Sequence, residues 1–167
     1  PFFDWCFIDE ARFRSQMHYL ARHFEIVALA DAPARLADPG PRPLAAITFD
    51  DGYMNNYAVA WPILRAAGLP AAIFLNTGLV GGADTVWFCR LGRALARTRL
   101  EHLDWEGEGF ELTGPAAKAR ASARLQARLK RLPHAELLER WRELLGRLGA
   151  DPADPIEEDS PYRMLDR

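Results

Sequence analysis

Two cysteines, four histidines and a net charge of −2 in 167 residues narrow the possibilities first by what they leave out. Cys6 and Cys89 stand far apart and are too few for a disulfide framework, so free thiols are expected. A charge this close to neutral gives no sign of a nucleic-acid binder. No apolar run approaches the ~20 residues needed to cross a bilayer, so no transmembrane segment is expected. No basic-then-apolar leader precedes Pro1, which reads as a cut end. The compartment, cell envelope or cytoplasm, is not legible. No internal repeat is visible. His18, His23, His102 and His134 include no pair four residues apart. Gly78, Gly81 and Gly82 follow a strand but lack the spacing of a dinucleotide or P-loop fingerprint.

What is present fits one ordinary globular domain, with 49% apolar and 26% charged residues. Asp9 can cap a helix with the stripe Phe13, Met17, Leu20 and Phe24. Glu25 to Leu29 reads as a short strand, and the proline-rich stretch 32–43 as a surface connection. Leu44 to Phe49 has the length of a buried strand. A helix beginning at Asn55 or Asn56 should present Tyr57, Ala60, Leu64 and Ala67, with Pro62 tolerable only near a first turn. Gly68 and Pro70 stop it, and Ala71 to Leu75 reads as a second buried strand. Strand, helix and strand in this span make a parallel β–α–β unit. Further on come a helix over 87–98 and a hairpin of 103–105 with 110–112. Helices then fill 114–149, including the stripe Leu137, Leu138, Trp141, Leu144, Leu145 and Leu148, and 151–161 is a loop. Trp87, Trp105 and Trp141 are expected in the core rather than against sugar rings. The basic run 118–131 reads as a solvated helix face.

One segment carries chemistry. Ile47-Thr48-Phe49-Asp50-Asp51-Gly52 places two carboxylates at the C-terminal end of a strand, where α/β proteins build their sites. Crowded acids repel unless a cation or a shared proton offsets the repulsion. A metal is the natural partner, one acid serving as ligand and the other taking a proton. A plain Asp-Asp-Gly turn in solvent accounts for the same residues.

Thr48 to Tyr53 resembles the first motif of the polysaccharide deacetylase family, the NodB homology domains of carbohydrate esterase family four. Asn56-Tyr57, Trp61 to Leu64 and Gly68 to Leu75 are similar to the helix and strand that follow that motif, and 13–27 to the elements before it. Trp87 to Leu91 resembles a branch with a helical insertion. The resemblance implies an α/β fold, the N-terminal portion of a distorted (β/α) barrel of the seven-stranded type. It also implies hydrolysis of N-acetyl groups on a polysaccharide. Asp50 matches the catalytic base and Asp51 the aspartate ligand of a divalent metal, zinc above others. Two histidines spaced His-x-x-x-His complete the site in the family, and here no such pair occurs.

The expected organisation is therefore 1–112 as the front of the barrel, 113–150 as a helical insertion and 151–167 as a loop leading onward. The chain is expected to be incomplete, with an open sheet edge and exposed apolar surface, to bind zinc weakly and to release no acetate. Asp50 and Asp51 should follow a parallel strand with Ile47 and Phe49 buried behind them, their side chains diverging. The rival is a non-catalytic binding or assembly module, and a third reading is a hydrolase of small amides.

Overall fold

A computed structural model describes residues 8–38, 40–81 and 84–166; Cys6 and Gly82 lie outside them. The described residues form a mixed α/β protein that divides into two compact units, one of them holding 84–156 and the other 8–81 with 157–166.

In the motif-bearing unit, helix α1 (Glu10–His23) starts where the Asp9 carboxylate accepts the Arg12 N–H at 2.8 Å. This N-cap satisfies one of the amides a helix start leaves open. Met17 is buried, with Phe13 and Leu20 partly buried beside it. Strand β1 is only Glu25–Ile26, and a 3-10 turn takes Leu29–Asp31. Within the expected surface connection a short helix forms, α2 (Ala32–Ala37), because Pro33 falls in its first turn, where no N–H is needed.

The apolar run 44–49 is two strands, not one. β2 (Leu44–Ala45) pairs parallel with β1, and β3 (Ile47–Phe49) pairs parallel with β4 (Ala71–Ile73). Ala46 is where the backbone changes partner. The expected parallel β–α–β unit is present, but neither half is a fully buried strand. Ile47 is buried, Phe49 is half-buried, and Ala71 and Ile73 are exposed. Phe74 and Leu75, expected in the same buried strand, lie beyond β4 and are exposed too.

Between these strands a π-helical turn (Asn56–Ala60) runs directly into α3 (Trp61–Ala66), with the Trp61 N–H bonded to the Asn56 carbonyl. Pro62 has no N–H to continue a normal ladder, so the wider turn falls just before it. Ala60, Ile63 and Leu64 face inward; Tyr57 and Ala67, expected on that face, are exposed. Tyr57 stacks instead on Trp61, their ring centroids 5.4 Å apart.

In the other unit, α4 (Trp87–Arg97), α5 (Gly114–Leu129) and α6 (His134–Arg147) pack with the hairpin β5 (His102–Trp105) and β6 (Glu108–Glu111). Leu103, Trp105 and Phe110 point from the hairpin into a core with Leu125, Leu129, Leu144 and Leu145. Trp105 and Trp141 are core residues, as their leucine-rich surroundings imply. The turn uses Glu106 and Gly107, both at positive φ, a geometry whose twist matches that of paired strands. The basic face of α5 is partly neutralised where Arg124 and Arg128 meet Glu108, while the Lys118 ammonium donates to the Thr98 carbonyl at 2.8 Å and keeps its charge. Cys89 is buried.

Each of the three sheets has two strands, and none closes among the described residues. No helix among them is long and apolar enough to cross a membrane.

Candidate active site

Asp50 directly follows β3, so the paired acids stand at the C-terminal end of a parallel strand, with Ile47 buried behind them. The chain then turns sharply. Asp51 has φ +67° and Gly52 φ +81°, a left-handed pair that costs glycine little and other residues more. The Gly52 N–H closes onto the Asp50 carbonyl at 2.8 Å. Gly52 is also buried, and a Cβ there would lie 2.6 Å from Leu75 Cδ2. The backbone angle therefore favours glycine, and a Cβ there would also push the exposed Leu75 side chain aside.

Every carbonyl of the turn is engaged. Phe49 accepts from the Phe74 N–H at 2.8 Å, Asp51 from Asn76 at 3.2 Å and Gly52 from Leu165 at 2.8 Å. Tyr53 forms an antiparallel bridge with Met164, and the Met54 N–H donates to the Arg163 carbonyl at 2.8 Å. Thus 163–165 lies along the motif as a backbone strap. The turn is held rigid by its main chain while its carboxylates stay uncommitted. Among the described residues no group donates a hydrogen bond to either side chain; Asp50 is exposed and Asp51 half-buried. Both carboxylates thus present oxygens that no described residue occupies.

The histidines do not assemble a metal centre. His18 and His23 are on α1, where the His23 ring packs on Tyr19 with centroids 4.4 Å apart. His134 begins α6. On the hairpin, His102 is held between two acids, Nδ1 to Glu111 and Nε2 to Asp104, each at 3.0 Å. The Asp104 bond first, then that to Glu111, raises its pKa above the usual 6.5. Among the described residues no group of three or more His, Cys, Asp or Glu side chains is arranged to hold a metal ion.

Beside the motif lies a cavity of about 480 Å³, walled by α1, the end of β3 and the turn that opens the next helix. Phe13, Phe49 and Val59 give it apolar surface, and Gln16, Asn55 and Asn56 bring three carboxamides. Sequence reasoning missed this use. The Asn55-Asn56 pair reads as a helix start, yet neither side chain caps the helix.

Taken together, fold and site define an α/β protein with paired carboxylates presented at the end of a parallel strand. Residues 37–102 match the family described as polysaccharide deacetylase. That segment contains the motif turn and both strands of its sheet, and it is less than half of the chain. Across that segment the chain is similar to this family. No curated protein and no solved structure matches the chain.

Proposed function

We propose that the chain is a metal-dependent amide hydrolase, built on the front of a distorted (β/α) barrel and removing N-acetyl groups from a polysaccharide. Asp50 is the base and Asp51 a ligand of a divalent cation, zinc above others. The observation that carries this reading is the uncommitted Asp50–Asp51 pair, at the end of a parallel strand inside the family-matched segment. In this reading the helices of 113–150 are an insertion.

A hydrolytic zinc site takes three protein ligands and a water. The described residues offer Asp51 and no histidine pair four apart, so they do not by themselves fit the ion. The ligand set within these 167 residues is accordingly proposed to be incomplete. The 167-residue chain should bind zinc weakly in a calorimetric titration and release little acetate from chitin oligosaccharides. In a chain extended through a His-x-x-x-His segment, Asp50→Asn should lose most turnover and keep metal, whereas Asp51→Asn should weaken zinc binding itself. Turnover that survives Asp50→Asn would overturn the site. Acetate release by the 167-residue chain, abolished by chelator and restored by zinc, would overturn only the incomplete ligand set.

The amide-lined cavity favours a second reading, a glycan-binding module without catalysis. Glycan binding with no acetate release from the extended chain would decide for it.

A further inference from the structure

The cavity between α1 and the π-helical turn is not needed by either aspartate, and its lining has a chemistry of its own. Among the described residues, none hydrogen-bonds the side chains of Gln16, Asn55 or Asn56. A carboxamide offers two donors and two acceptor sites. Three of them around one space form a neutral surface that both gives and receives hydrogen bonds. The aromatic rings of Phe13 and Phe49, with centroids 6.2 Å apart, and the Val59 side chain supply the apolar part. Glu10, also on the rim, is already paired with Arg14 at 2.7 Å, and no cationic side chain lines the space. An anionic ligand would find no countercharge there, and a purely apolar one would strand the amides. The volume of about 480 Å³ lies in the ordinary range for small-molecule sites.

We propose that this cavity is a binding site for a neutral saccharide unit, separate from the reacting centre. The carboxamides of Gln16, Asn55 and Asn56 read hydroxyl or acetamido groups, and Phe13, Phe49 and Val59 cover the apolar face of the ring. The assignment rests on the polysaccharide reading for its ligand class and on the cavity alone for its place. Phe49 lines the space and Asp50 is the next residue, so a polymer held here passes close to the motif turn.

Calorimetric titration of the full chain with an N-acetylglucosamine oligosaccharide, and in parallel with a glucose oligosaccharide, tests the assignment. The wild type is expected to bind at least one of them. Asn55→Ala combined with Asn56→Ala should weaken that binding about tenfold or more, because two hydrogen-bonding groups are lost. Its melting temperature should stay near that of the wild type, since neither side chain bonds to a described residue. Val59→Trp, which fills the cavity and keeps all three amides, should weaken binding too. Asp50→Asn should bind as the wild type does. Binding of neither sugar by the wild type overturns the site, as does undiminished binding by both cavity variants. Loss of binding in Asp50→Asn alone also overturns it, while leaving the deacetylase reading intact.

Discussion

Residues 84–156 and the motif-bearing residues differ in how they are held together. Among the described residues the first unit gathers fifteen buried apolar side chains into one cluster, and the second gathers four. The second also leaves Tyr57, Trp61, Phe74 and Leu75 exposed. Burial of apolar surface is the main favourable term in folding. Most of the packing energy therefore sits in the part that carries no proposed chemistry. The part with the aspartates is ordered by backbone hydrogen bonds and a glycine turn. Stability and reactivity are written into different stretches of one chain.

The largest expected effect tests the dense side of this contrast. Phe110→Ala empties a fully buried ring position and should cost about 3–5 kcal/mol. Denaturant unfolding followed by hydrogen exchange in α4, α5 and α6 measures it, and a loss below about 1 kcal/mol would break the contrast. Gly52→Ala probes the other side. With φ +81°, a residue with a Cβ should cost about 1–3 kcal/mol there. It should also speed exchange of the Leu165 amide, which is bonded to Gly52. A cost equal to that of Phe110→Ala would mean that the motif unit is as tightly determined by one turn as its neighbour is by a core.

The smallest effect is electrostatic. His102, Asp104 and Glu111 share the outward face of the hairpin, where a Cβ on Gly109 would come 3.0 Å from the His102 ring. From α6, Arg147 reaches the Asp104 carbonyl at 3.0 Å and pairs with Glu143. Because the folded pKa of His102 is raised, its contribution is complete below the unfolded value of 6.5 and is lost as pH rises through the higher folded value. A proton NMR titration should place the His102 midpoint above 6.5. Melting temperature should fall across that window more in the wild type than in His102→Gln. Equal slopes would remove the clip from the hairpin's stability.

Element type was largely legible in the sequence, and burial only in part: the leucine stripe around Trp141 is buried as its spacing implies. Helical periodicity located α1, α4 and α6, and the apolar–glycine–apolar pattern located the hairpin, because these signals are local. Asp50 and Asp51 were placed at a strand end for the same reason. Ala71 to Leu75 has the composition of a buried strand, yet composition does not say which face finds a partner, and Ile73 to Leu75 are exposed. The break at Ala46 depends on which strands lie alongside, a long-range fact. The cavity amides escaped because Gln16 and Asn55 come from separate helical segments, and no periodicity links them.

Arg90 has a bearing on the order in which the chain assembles. Its buried guanidinium donates to the Asp84 carboxylate at 2.6 Å and to the Asp154 carbonyl at 2.6 Å, tying the beginning of the 84–156 unit to its end. The strap 163–165 must find residues 52–54 across more than a hundred residues of chain. Loop-closure entropy rises with the logarithm of the slack, about 0.6 kcal/mol for each doubling. Once Arg90 fastens Asp84 to Asp154, the intervening stretch no longer counts as slack, and the loop left to close is roughly forty residues, a saving of about 1 kcal/mol. Long-range pairings that wait on such a clasp form late. A single arginine far from the aspartates in sequence thereby shortens the loop that their turn has to close.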